Sequence, residues 1–227
     1  MRTRNASRHF AACAVVALAA TACPVDGFAG VVRGEVRMAA GTTPATAVNA
    51  YPGRASSMPT AKAMTHGIAT DAVLWLERVP ARADTARGGA RPKLAQKDQC
   101  FMPRVLPVAV GTSVDFPNLD PIFHNVFSAS PTKRFDLGKY PRGQSKRVVF
   151  DKPGLENVYC DIHSGMEAFV LVLPTHVFTM PDAAGRYALP EVPGGGYTLH
   201  LWHPDRPEMR REVVVPATGD LVVDLDS

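Results

Sequence analysis

The sequence predicts an all-β protein, an antiparallel β-sandwich followed by a small C-terminal β-module. Three observations predict it. Apolar or alternating runs of about four to seven residues recur along the chain, as short strands do. Gly (18) and Pro (20) are frequent and fall between those runs, where they punctuate strands with turns. With 46% hydrophobic and 20% charged residues in 227, the chain has enough apolar surface for one well-buried core and a second small one. No repeat of fixed period is evident.

The N-terminus reads as a targeting segment. Arg2, Arg4 and Arg8 form a basic stretch before an apolar run from Ala11 to Ala22, which is too short to span a bilayer. Small residues follow at Gly27-Phe28-Ala29, before Gly30, with an earlier cleavage point after Ala22. Residues 1–29 are therefore expected to be a signal peptide that sends the chain to the periplasm or otherwise out of the cell. A rival reading is a lipoprotein acylated at Cys23, to which Ala20-Thr21-Ala22-Cys23 is a loose fit. No later segment is long and apolar enough for a transmembrane helix. Removing Arg2, Arg4, Arg8 and Asp26 takes the net charge from +4 to +2, too mild for a nucleic-acid partner. Cys100 and Cys160 are then the remaining cysteines. Either they pair, as an oxidising compartment permits, or Cys160 is held as a thiolate by a metal.

The expected strands follow in order. Val31 to Arg37 alternates weakly, and Ala72 to Leu76 is a strong apolar run. Residues 39–70 and 79–97, rich in Ala, Gly and Pro, read as loops, so 30–97 is expected to be N-terminal strands and loops joined to the sandwich. From residue 98 the pattern is denser. Strands are expected at Val105–Val110, Ser113–Phe116, Phe123–Phe127, Arg147–Phe150, Glu156–Cys160 and Ala168–Leu173. Turns fall at Pro117-Asn118, Asp120-Pro121, Pro141-Arg142-Gly143 and Pro153-Gly154. The last strand is apolar at every position, the mark of a central strand buried on both faces. Residues 98–173 are expected to form the metal-binding core and 174–227 an accessory module of short strands, at Val177–Met180, Arg186–Leu189, Tyr197–Trp202, Glu212–Val215 and Leu221–Leu225.

Chemistry concentrates in Cys160-Asp-Ile-His163-Ser-Gly-Met166, with His124 upstream. Two imidazoles, a thiolate and a distant thioether form the ligand set of a mononuclear copper site that both Cu(I) and Cu(II) tolerate. Cys160, His163 and His124 are the expected equatorial ligands and Met166 the axial one. Three ligands sit on one tight loop and the fourth at a neighbouring strand end. Zinc is the competing metal for the same donors. The thioether and the strand-end placement favour copper.

These residues also carry a resemblance. Asp120-Pro121-Ile122-Phe123-His124-Asn125-Val126 looks like the upstream histidine motif of the cupredoxins, including the Asn after the histidine. Phe150, Pro153, Gly154, Tyr159, Cys160 and His163 resemble the strand-and-loop motif that carries the other ligands. The Cys-x-x-His-x-x-Met spacing is shorter than in plastocyanin and is similar to the compact loop of amicyanin. The resemblance covers residues 98–173 and implies a Greek-key, cupredoxin-like sandwich holding one type 1 copper ion. It also implies that Asn125 stabilises the thiolate region through hydrogen bonding. The rhythm Gly185-Arg-Tyr187-Ala-Leu189 and Val192-Pro193-Gly-Gly-Gly196-Tyr197-Thr-Leu199 looks like carboxypeptidase-regulatory or transthyretin-like β-modules.

The expected function is that of an exported electron carrier, not an enzyme. No Ser-His-Asp order, paired-carboxylate spacing, phosphate loop or second histidine-built copper centre stands out. Alternatives are a periplasmic copper-handling module for storage, delivery or sensing, and a structural or interaction protein with a copper-stabilised fold. Lys133, Arg134, Lys139, Arg142, Lys146 and Arg147 cluster between the metal motifs. They read either as a docking face for an acidic redox partner, a cytochrome or dehydrogenase, or as a solvated loop face. Cys100 reads as an inert thiol, Met58, Met64 and His66 as scattered loop residues, and His176, His200 and His203 as core or surface histidines.

Overall fold

The structure, a computed structural model, describes residues 29–38, 68–86 and 88–227. The expected signal peptide up to residue 28, Cys23, and the loop carrying Met58, Met64 and His66 lie outside the described residues. Those described are all-β. The N-terminal strands are β1 (Ala29–Gly30), β2 (Val32–Arg37) and β3 (Val73–Glu77), with a 3-10 turn at Ile68–Asp71. The central strands are β4 (Ala95–Lys97), β5 (Cys100–Met102), β6 (Val105–Ala109), β7 (Thr112–Pro117), β8 (His124–Ser128), β9 (Phe135–Tyr140), β10 (Ser145–Phe150), β11 (Gly154–Tyr159) and β12 (Glu167–Leu173). The C-terminal strands are β13 (Phe178–Thr179), β14 (Arg186–Ala188), β15 (Val192–Pro193), β16 (Gly195–His203), β17 (Arg206–Val215), β18 (Leu221–Val222) and β19 (Leu225–Asp226).

The central strands build a β-sandwich. One sheet runs β6-β12-β11-β8-β9, and β7 pairs with β10 opposite it. Pairing is antiparallel apart from β6 with β12, which is parallel. Alternation along each strand decides what is inside. Val114 and Phe116 of β7, Val148 and Phe150 of β10, and Val158 of β11 point into one core, while Val149 stays exposed. Each such fully buried side chain contributes about 1.5–3 kcal/mol of transfer free energy.

Strand β12 explains its unbroken apolar run. Ala168, Val170 and Val172 enter the sandwich core. Phe169, Leu171 and Leu173 pack on the other side, against Val73, Trp75 and Val105. Strand β3 is its counterpart, with Leu74 and Leu76 facing a third cluster that includes Tyr197, Leu199 and Leu201. Two strands buried on both faces therefore meet back to back. That contact joins sandwich and module, and Arg104 ties it at the rim through Asp71 (3.0 Å) and Asp205 (3.3 Å).

The N-terminal strands find their hydrogen-bonding partners late in the chain. Strand β3 pairs with β13 and β16, and β2 with β14, β18 and β19. The alternation within each strand is local, whereas the choice of partner is long-range. The packing also needs Gly34, where a Cβ would lie 1.9 Å from the Val223 carbonyl oxygen. Among the described residues no helix is long and apolar enough to cross a membrane.

Candidate metal centre

Three side chains converge at one end of the sandwich. His124 opens β8, and Cys160 follows the last residue of β11. His163 lies in the loop that returns to β12. That loop closes on itself, since Met166 N–H donates to the His163 carbonyl (3.0 Å) and Cys160 N–H to the Met166 carbonyl (3.3 Å). Beside it, β8 departs from strict alternation. Its register against β9 shifts between Asn125 and Phe127, and His124, Asn125 and Val126 are all buried. The extra residue is on β9, where Leu137 and Gly138 face Val126 alone, so the bulge bends β9 beside the site.

His124 Nδ1 and His163 Nδ1 are 3.1 Å apart, and Cys160 Sγ lies 4.0 Å from the first and 3.8 Å from the second. A triangle with those sides has a circumradius of about 2.1 Å, so one point is about equally distant from all three donors. First-row metal bonds run about 2.0–2.1 Å to imidazole nitrogen and about 2.3 Å to thiolate, as in zinc sites. The donor set therefore fits one metal ion. These three residues form the one group of three or more His, Cys, Asp or Glu donors within metal reach among the described residues.

The two imidazoles are prepared for that role. Asp120 Oδ2 lies 2.7 Å from His124 Nε2. A carboxylate only accepts, so Nε2 carries the proton and Nδ1 presents its lone pair to the other two donors. Burial pushes the Asp120 carboxyl up, but donors from Gln99, His124 and Asp98 outweigh it and hold its pKa below the ordinary value. His163 is pushed down, first by burial and then by His124 beside it. A lowered imidazole pKa weakens proton competition for a metal near neutrality. Cys160 and His124 are buried and His163 is partly exposed. Met166 is 1% exposed and packs in the same core cluster as Cys160.

Asn125 bonds to the residue that follows Cys160. Its Oδ1 accepts from Asp161 N–H (3.3 Å), and its Nδ2 donates to Asp136 (2.7 Å). The side chain thus supports the residue after Cys160 and anchors the loop to β9. Cys100 and Cys160 are both free thiols, so the pairing alternative does not occur. Burial, Asp98 and Asp120 raise the Cys100 thiol pKa. Within the basic cluster, Lys133 pairs with Asp151, Arg147 with Asp115, and Lys146 with the Leu137 carbonyl. His200 is held by Glu208 (2.7 Å) and Glu77 (3.2 Å), His203 Nδ1 accepts from Asp205 N–H, and His176 lies 3.3 Å from Asp84.

Asp120 is the residue whose role the sequence reading missed. It stood inside the quoted motif, but its reach to His124 depends on the turn through Pro121. The available signal was an acid four positions before the histidine.

No protein family and no curated protein matches the chain. Solved structures do, over part of it. A copper-containing nitrite reductase from Thermus scotoductus is 26% identical with a TM-score of 0.36, over 43% of this chain and 27% of that one. A purple cupredoxin from Nitrosopumilus maritimus is 28% identical with a TM-score of 0.31, over 33% of this chain and 83% of that one. A Cu(I) form of an amicyanin variant is 21% identical with a TM-score of 0.35, over 45% of this chain and 99% of that one. This chain thus spans about a quarter of the nitrite reductase.

Proposed function

We propose that the chain is an exported mononuclear type 1 copper protein that carries single electrons between redox partners. The observation that carries this reading is the triangle of His124 Nδ1, Cys160 Sγ and His163 Nδ1, with sides of 3.1, 3.8 and 4.0 Å. Met166, buried in the cluster that contains Cys160, would supply a weak fourth ligand through its thioether. A structural zinc site takes four nitrogen or sulfur ligands of the His and Cys type. Three such donors with a thioether suit copper better.

Bound copper supplies a one-electron couple, and the chain's residues supply the rest. The β8 and β11 ends and the closed loop hold the donors in one arrangement, which keeps reorganisation between oxidation states small. Residues 98–173 are the copper-binding core, and 174–227 form an accessory module together with β2 and β3. His163 is the partly exposed donor, and Ile122, Phe123 and Ile162 around its loop and strand are exposed. A cytochrome or dehydrogenase docking there would reach the centre through that imidazole. The nitrite reductase is an enzyme, but most of its length has no counterpart here, so its activity is not carried over.

Copper loading of the chain without its first 29 residues tests the reading. One copper per chain, an intense visible thiolate charge-transfer band and a reversible one-electron potential are expected. A Cys160→Ser variant that kept the band would overturn it. Ready transfer of copper to an acceptor, with slow electron self-exchange, would replace it with copper handling.

A further inference from the structure

Asp120 is tied down from more directions than a histidine partner needs. It is 5% exposed. Its Oδ1 accepts Asp98 N–H at 2.6 Å, and its Oδ2 accepts Gln99 N–H at 2.9 Å as well as the His124 contact at 2.7 Å. Its own N–H donates to Asn118 Oδ1 at 2.9 Å. The Asn118 amide in turn donates to the Ile122 and Tyr140 carbonyls, both at 2.9 Å. Asp98 and Gln99 are the two central residues of the β4–β5 hairpin, with φ of +54° and +56°. Positive φ at both is what a type I′ turn requires, and neither is the Gly or Asn that adopts it most readily. The turn thus aims two backbone donors at one carboxylate, and that carboxylate is aimed at the outer nitrogen of a ligand imidazole.

We propose that Asp120 is a positioning residue which, held by the Asp98–Gln99 turn, fixes the tautomer of His124 and lowers the reduction potential of the copper centre. The proposal rests on the copper reading above. A carboxylate on the outer N–H makes the imidazole a stronger donor. A stronger donor and a nearby negative charge both favour Cu(II) over Cu(I). Asp120 reaches the metal only through His124.

The test compares wild type with Asp120→Asn, which keeps one of the two acceptor oxygens but loses the charge. Removing such a partner lowers metal affinity about 10- to 100-fold. Because Cu(II) loses more than Cu(I), the potential is expected to rise, by about 59 mV for each tenfold difference, with the charge-transfer band retained. An unchanged or lower potential would overturn the proposal. A second measurement needs no variant. Nitrogen-15 NMR of the metal-free wild type should show the His124 proton on Nε2, and a proton predominantly on Nδ1 would overturn the proposal even if Asp120→Asn does not fold. A wild type that takes up copper without a thiolate band would instead sink the copper reading, which separates the two failures.

Discussion

His124 and His200 are both buried against carboxylates, and they come to opposite ends. His200 of β16 has both ring nitrogens occupied, Nδ1 by Glu208 at 2.7 Å and Nε2 by Glu77 at 3.2 Å, and it stacks on Trp75 at 4.5 Å between centroids. His124 of β8 has Asp120 on Nε2 alone, and its Nδ1 faces another imidazole and a thiol. Burial and a carboxylate partner are common to both. The difference is one uncommitted lone pair, and where it points. His200 is a satisfied polar group stacked on its cross-strand partner Trp75, and His124 is a candidate ligand.

The largest way to break that contrast is Cys160→Ser. It removes the soft donor, so the charge-transfer band should vanish completely and copper affinity should fall, while the metal-free fold stays intact by circular dichroism. Next is His200→Leu, which leaves Glu77 and Glu208 without their shared partner. It should cost about 1–3 kcal/mol in denaturant unfolding and leave the copper spectrum unchanged. A lost band there would erase the distinction between the two histidines.

Met166→Leu sharpens the comparison at the centre itself. The swap conserves volume, so a stability cost below about 1.5 kcal/mol is expected. The band should persist while the potential rises, because a donor is lost and a more apolar site disfavours the higher charge of Cu(II). Voltammetry reads this directly. The smallest effect concerns the carboxylates of His200. For Glu208, burial pushes the pKa up, but Arg210 and His200 outweigh it and leave it lowered. A lowered folded-state pKa adds stability above the unfolded value of about 4.3, which is lost as pH falls through the folded one. Glu208→Gln should therefore flatten the acid side of the metal-free stability profile, by about 1 kcal/mol or less for so open a group.

What the sequence made legible follows from locality. The unbroken apolar run of β12 announced two buried faces, and Cys160, His163 and Met166 announced themselves by spacing within one loop. Strand β9 escaped because it is an edge strand whose Asp136, Gly138 and Lys139 give little alternation. The β4–β5 hairpin escaped because its strands have three residues each and its turn is Asp98-Gln99 instead of a Gly-containing pair. The pairing of β2 and β3 with strands more than a hundred residues later left no local trace. Asp120 was visible as a residue, but its function depends on a turn brought from β4 and β5.

The most direct test of the central claim is the visible absorption spectrum of the copper-loaded chain, titrated with Cu(II) to saturation. An intense thiolate-to-copper band is expected, saturating at one copper per chain and disappearing in Cys160→Ser. Copper binding with weak absorption alone, or a band that survives the loss of the Cys160 sulfur, would contradict that claim.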